Sequence, residues 1–424
     1  MKFKKKTLSN GVRLILVPMP NSLTTTVLVL TETGSKYETK RINGVSHFLE
    51  HLCFKGTVKR PSAKAISEEL DGLGASYNAF TGHEYTGYYA KAEARHFKKI
   101  LDVVSDVYLN GTFPKEEIEK ERGVIIGEIQ MYEDNPQRDV WDSFTELLYG
   151  NQPAGWPIAG TRQTIREISR NDIVRYKQKN YIASGTVVVV AGKCDEKEAA
   201  REVADMFAEI PKSKKASKKK IKDTQKKSNI LVKHKKTSQT HLILGFRGYP
   251  AGHKDASALS VLAGILGGGM SSRLFHRIRE QLGAGYYVSA EAEMFTDHGF
   301  FAISTGIDNK RVSEILRAIV DEVRIIKNNS VAKNELQKVK NYLIGNLFSG
   351  LETSHARALF YGLTEVLGEK LKTPQEHADE IQKVTAQDIS RVARFILKIK
   401  HGNIALIGPA TKRDEKKLLQ LLAV

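Results

Sequence analysis

Residues 164–173 read TIREISRNDI and residues 380–389 read EIQKVTAQDI, so that Ile165 lies over Ile381 and Asp172-Ile173 over Asp388-Ile389. Each stretch leads into an apolar run that closes on a glycine. Both glycines, Gly192 and Gly408, stand 19 residues beyond the final isoleucine. Further out, Gly87-Tyr88-Tyr89-Ala90 and a helical pattern from Arg95 match Gly299-Phe300-Phe301-Ala302 and a helical pattern from Arg311. Self-similarity over so long a period means a duplicated strand-and-helix unit. Strand runs such as residues 25–30 and 187–191 alternate with helical stretches. The expected fold class is therefore α+β, in two duplicated domains of about 210 residues.

The copies are separated by a basic stretch, with twelve lysines against one aspartate between Lys212 and Lys236. Together with a net charge of +18 this invites a nucleic-acid reading. Little arginine or aromatic residue is interleaved there, however, so the run reads as a solvated, mobile connector and no nucleic-acid partner is expected. The expected boundaries are a first domain at 1–211, a lysine-rich linker at 212–228 and a second domain at 229–424.

Only the first copy carries a metal-ligand pattern. His47-Phe48-Leu49-Glu50-His51 puts two imidazoles four residues apart, one helical turn on one face, able to close on a single Zn²⁺. Glu50 projects from the same face and is placed to act as a general base without ligating. The order H-x-x-E-H inverts the commoner H-E-x-x-H zinc signature. With 12 histidines in the chain, a chance match has a probability of roughly a few per cent. The plain alternative is an exposed amphipathic helix.

Residues 116–128, EEIEKERGVIIGE, shift the balance. They read as a second helix with Ile118, Val124, Ile125 and Ile129 facing the core. Glu121 and Glu128 are seven apart, two turns on one face. Glu128 is read as the third ligand and Glu121 as a carboxylate that orients a liganding imidazole. Glu116, Glu117 and Glu119 read as solvated charges. The corresponding region of the second copy, Lys340-Asn341-Tyr342-Leu343-Ile344, offers no such pair of glutamates.

Residues 47–57 (HFLEHLCFKGT), with Glu128 77 positions after His51, resemble the insulinase/pitrilysin family, which includes the mitochondrial processing peptidases. The resemblance continues at Asn78-Ala79-Phe80-Thr81 and from Glu121 to Glu128, and recurs at 266–275 (LGGGMSSRLF) and 279–286. It runs from Leu8-Ser9-Asn10-Gly11 to Ala405-Leu406-Ile407-Gly408, nearly the whole chain. It implies a clamshell pair of domains, each a mostly antiparallel sheet packed with helices, and a zinc endopeptidase with one Zn²⁺ per chain, held by His47, His51 and Glu128. Glu50 would be the base, and Arg279 and Tyr286, at the family's Arg-x6-Tyr spacing, would hold the substrate backbone and stabilise the oxyanion. The strand carrying Asn78, Ala79 and Phe80 would pair with the substrate as an added strand. Gly267-Gly268-Gly269 lacks a following Gly-Lys-Ser/Thr and is not a phosphate loop.

Family members enclose substrate in a chamber built from four such domains. The resemblance therefore implies a homodimer of this chain, or a heterodimer with a homologous half-length chain as in the processing peptidases, acting on peptides or unfolded segments. A non-catalytic scaffold of the same fold is the other alternative. Composition is compatible: 424 residues, 41% apolar and 27% charged, and no run of the ~20 apolar residues needed to span a bilayer. The lysine-rich start passes directly to Thr7-Leu8-Ser9-Asn10-Gly11 without an apolar leader. Two cysteines, Cys53 and Cys194, make no disulfide scaffold, and Cys53 reads as a small core residue. A cytoplasmic location is the expectation.

Overall fold

A computed structural model describes residues 2–423. Its contacts divide the chain into two compact units. The first comprises Met1–Ile129, Pro157–Lys219 and Phe348–Thr373; the second comprises Gln130–Trp156, Lys220–Leu347 and Pro374–Val424.

In the first unit six strands are ordered β1-β2-β6-β3-β5-β4. They are β1 (Lys4–Thr7), β2 (Arg13–Pro18), β3 (Thr24–Thr31), β4 (Ser76–Thr81), β5 (Thr86–Glu93) and β6 (Thr186–Gly192). Only β2 and β6 run parallel, with Arg13 opposite Val187; the other pairings are antiparallel. The second unit repeats the pattern as β7-β11-β8-β10-β9. These strands are β7 (Asn229–His234), β8 (Thr240–Arg247), β9 (Gly285–Met294), β10 (Gly299–Ile307) and β11 (Asn403–Gly408), again with one parallel pair, β7 with β11. The duplication read from the sequence is therefore a repeated strand order.

The central strands are apolar at successive positions because both faces of each sheet are covered. In the first unit Val27, Val29, Val188 and Val190 face a core with Phe48, Leu52, Leu101 and Val104. The intervening Leu28, Leu30, Val187 and Val189 face Ala358, Tyr361 and Val366 of the helix Ser354–Val366. Gly362 of that helix is needed for close approach, since a Cβ there would lie 2.7 Å from Leu30 Cδ1. In the second unit Leu242, Leu244, Ile303 and Leu406 face one core. Ile243, Ala302, Ala405 and Ile407 face Val140, Phe144 and Leu148 of the helix Pro136–Tyr149.

Two features differ from the linear boundaries expected at 1–211, 212–228 and 229–424. The helix Pro136–Tyr149 belongs to the second unit and Ser354–Val366 to the first, so each unit is completed by a helix from the other half of the chain. The reason is that a sheet apolar on both faces needs two covers, and each half's strand-following helices supply only one. The lysine-rich stretch at 212–228 has no helix or strand and makes specific bonds to the unit on its own side of the division. Lys215 pairs with Glu32, and Lys218 Nζ lies 2.6 Å from Glu84 in the first unit. Past the division, the Lys222 N–H donates to Gln152 at 2.8 Å and the Gln225 amide to the His401 carbonyl at 2.9 Å in the second. No helix among the described residues is long and apolar enough to cross a membrane.

Candidate metal centre

The helix Val45–Cys53 carries Val45, Phe48, Leu49, Leu52 and Cys53 on one buried face. That is the i, i+3, i+4, i+7, i+8 stripe of a helix lying on a core. His47, Glu50 and His51 are left on its other flank. The helix opens at Gly44, whose φ of +97° is open to glycine at no steric cost and whose Cβ, if present, would lie 2.7 Å from the Ala159 carbonyl. No side chain at that position caps the helix. The Glu38 carboxylate does so instead: it accepts the Gly44 N–H at 2.7 Å, the Ser46 N–H at 2.8 Å and the Asn43 amide at 2.9 Å. Ser46 Oγ also meets Tyr176 Oη at 2.8 Å, and Tyr176 Oη meets Thr33 Oγ1 at 2.8 Å.

The second element is the helix Lys115–Asp134, which buries Ile118, Glu121, Ile125 and Ile129. Val124, expected on the core face, is 53% exposed. At about 100° per residue it stands about 120° around the helix from Ile118, whereas Ile125 and Ile129 fall within about 20° of it. Glu121 and Glu128 lie on the shoulder between, facing the first helix.

His47 Nε2 is 3.5 Å and His51 Nε2 3.6 Å from the same Glu128 oxygen, Oε2. The rings are 4.6 Å apart at 69°. One ligand atom each from His47, His51 and Glu128 lie within 4.8 Å of one another, the one such group among the described residues. Two ligands at tetrahedral zinc distances are about 3.3–3.6 Å apart. The His–Glu separations match that edge and are long for hydrogen bonds, so the donor set fits a shared cation. His51 Nδ1 lies 3.0 Å from Glu121 Oε2, and Lys55 Nζ lies 2.7 Å from Glu121 Oε1. A carboxylate on the distal ring nitrogen fixes the tautomer that presents Nε2. His47 Nδ1 is buried with no hydrogen-bonding partner, so packing and the backbone alone set that ring.

Electrostatics follow the same division. Burial, then the adjacent His51, push His47 down to about 4 against the pull of Glu128, which keeps the ring in the neutral form able to ligate a metal. Burial works against charging His51, but the Glu121 hydrogen bond and the carboxylates of Glu50 and Glu128 outweigh it and raise its pKa. Burial likewise opposes ionised Glu121, yet His51 and Lys55 hold its pKa down. Glu50 is raised by burial, partly offset by a hydrogen bond from Thr81 Oγ1 and by His51. A carboxyl raised in this way is better matched to proton transfer near neutrality.

Asn78, Ala79 and Phe80 lie on β4, which pairs with β5 on one side and stands at the end of its sheet order. Asn78 is exposed, and its Oδ1 accepts the Ala79 N–H at 2.9 Å. Phe80 packs in part against the core and meets Tyr85 at 6.0 Å. Arg279 and Tyr286 belong to the second unit. Arg279 Nη1 donates to the Tyr286 carbonyl at 2.6 Å, and the Tyr286 side chain points outward with the residue 59% exposed. Gly267 ends the helix Ala256–Gly267, and Gly269 turns the chain at φ +142°. Three participants, Glu38, Thr81 and Lys55, have no role read from the sequence: the last two lie inside the quoted motifs without an assigned task, and Gly44, which offers no capping side chain, calls for a cap without saying which residue supplies it.

Residues 13–162 match the family model described as Insulinase (Peptidase family M16), and residues 167–343 that described as Peptidase M16 inactive domain. The chain is 35% identical to the uncharacterized zinc protease YmxG of Bacillus subtilis over 96% of this chain and 98% of that one. It is 32% identical to an uncharacterized zinc protease of Streptomyces coelicolor over 99% and 92%. Among solved structures it superposes on a protease from Helicobacter pylori with a TM-score of 0.92 at 23% identity, covering 96% and 99% of the two chains. A peptidase M16 inactive domain from Pseudomonas fluorescens gives a TM-score of 0.88 at 20% identity, covering 97% and 99%. The last two likenesses are of fold.

Proposed function

This chain belongs to the insulinase (M16) peptidase family, and from that premise we propose that it is a zinc-dependent endopeptidase acting on peptides or unfolded segments. The observation that carries the proposal is the convergence of His47, His51 and Glu128 from two helices on one point, with Glu50 alongside. Zinc bound there supplies a Lewis acid that acidifies water and polarises a peptide carbonyl.

The protein's own groups do the rest. Glu50, raised by burial and steadied by Thr81, takes the proton of the attacking water and returns it to the leaving amine. Glu121 keeps His51 in the tautomer that presents Nε2. The open edge of β4 offers backbone groups to an extended peptide, with Asn78, Ala79 and Phe80 beside it. Arg279, bonded to the Tyr286 carbonyl, and the exposed Tyr286 phenol are the groups assigned to the substrate backbone and oxyanion. A single ligand cluster among the described residues supports one zinc per chain, and the proposal includes a homodimer with two sites, each using Arg279 and Tyr286 of the second copy.

Elemental analysis and cleavage of an unstructured peptide mixture test this reading. The wild-type protein is expected to hold about one equivalent of zinc and to cleave. Glu50→Gln should keep the metal and lose at least about 100-fold in rate. Near-native cleavage by the pure variant would remove Glu50 from the role of base.

A further inference from the structure

The two histidines are supported in different ways. His51 has a carboxylate on its outer nitrogen, Glu121 at 3.0 Å. His47 has nothing on Nδ1, although that atom is buried. The direction of the His47 ring is thus set by its packing, with the His51 ring 4.6 Å away, and by the backbone from which it projects, in the first turn of the helix Val45–Cys53. That turn is gripped one residue earlier: the two oxygens of Glu38 accept the Ser46 and Gly44 N–H groups separately, at 2.8 and 2.7 Å. Asn43, the third donor to Glu38, is anchored in turn on the Pro157 carbonyl at 3.0 Å. Glu38 is 3% exposed and sits outside the helix it caps, so the clamp is carried on a separate segment.

A carboxylate at a helix N-terminus satisfies donors that the helix itself cannot, and lies favourably in its dipole. With two contact points it also fixes the rotation of the first turn about the helix axis. Rotation is the coordinate that would swing His47 away from His51 and Glu128. A side-chain cap at position 44 is ruled out, since the glycine is held at φ +97° and a Cβ there would lie 2.7 Å from the Ala159 carbonyl, so the capping group comes from six residues upstream.

We propose that Glu38 is the positioning residue for His47, doing through the backbone what Glu121 does for His51 through the ring. It touches neither metal nor substrate. The inference rests on the zinc reading above, and wild-type zinc binding separates the two: if wild type binds no zinc, that reading fails first.

The test measures zinc affinity of Glu38→Gln and Glu38→Asp by competition with a chromophoric chelator, alongside urea unfolding of the metal-free proteins and the visible spectrum of the Co²⁺-loaded forms. Gln keeps one acceptor but sets an amide N–H₂ against a backbone donor; Asp keeps both acceptor oxygens but falls short by one methylene. We expect zinc affinity to fall roughly tenfold in Glu38→Gln, with a smaller loss in Glu38→Asp and an altered Co²⁺ ligand-field band in both. In a His47→Ala background the further effect of Glu38→Gln on affinity should disappear, because its route to the metal is gone. Affinity within twofold of wild type, with only metal-free stability reduced, would overturn the proposal. So would failure of both variants to fold with zinc present, which would make Glu38 a folding determinant and nothing more.

Discussion

Replacing Glu121 by glutamine tests the centre most sharply, because shape is retained and one charge is lost. In the native protein an ionised Glu121, 5% exposed, accepts the His51 Nδ1–H at 3.0 Å. A hydrogen bond to a charged group contributes about 1.5–3 kcal/mol and a neutral one about 0.5–1.5 kcal/mol. The substitution should therefore cost zinc binding about 1–2 kcal/mol, or roughly 5- to 30-fold in Kd. Lys55 also loses its partner, but its side chain is 24% exposed and remains hydrated, so it adds little. Competition between the metal-free protein and a chelator of known affinity, at fixed pH, reads the change directly. A shift under twofold would refute the orienting role. A loss as deep as that of His51→Ala would refute it the other way, by making Glu121 a ligand.

Two further outcomes are expected. Lys36 and Glu84 are buried 2.8 Å apart, with Lys218 2.6 Å from the same oxygen. Burial alone would raise Glu84, but Lys36 and Lys218 hold it down to about 2, from 4.5. A depressed carboxyl stabilises the fold fully above its unfolded value, and that contribution, about 3 kcal/mol here, is lost as pH falls from about 4.5 to about 2. The gap in urea midpoint between wild type and Glu84→Gln should close across that window; a pH-independent gap would exclude Glu84 as the titrating group. For the proposed homodimer with Arg279 and Tyr286 lent by the partner, mixing Glu50→Gln with Tyr286→Phe chains should restore part of the peptidase activity. No recovery despite demonstrated subunit exchange would count against shared sites.

The parts of this molecule legible in its sequence are those encoded by local spacing. His47, Glu50 and His51 announce themselves because four residues is one helical turn. Glu121 and Glu128 do so because seven is two, and the paired Ile173-to-Gly192 and Ile389-to-Gly408 intervals give away the repeat. What stayed hidden depends on partners distant in the chain. Nothing in PQRDVWDSFTELLY says which sheet its Val140, Phe144 and Leu148 will cover, since an apolar stripe is compatible with any apolar face. Val124 reads as core from sequence because an apolar residue beside Ile125 is ambiguous until the helix phase is fixed by packing. Glu38 is one acid among many until the fold brings Gly44 and Ser46 to it. The connector lysines look alike in sequence, yet Lys215 and Lys218 find acids while others stay exposed.

The helix exchanged between halves of the chain bears on the order of synthesis. All six strands of the first sheet have been made once Gly192 leaves the ribosome, but the helix that covers Ile15, Leu28, Leu30, Val187 and Val189 is not complete until Val366. Through that interval the nascent protein carries a bare aliphatic surface, which a chaperone or a neighbouring strand can occupy. Neither half is a portable module: a fragment ending at the lysine-rich stretch would carry His47, His51 and Glu128 on helices beside a sheet missing one of its two covers.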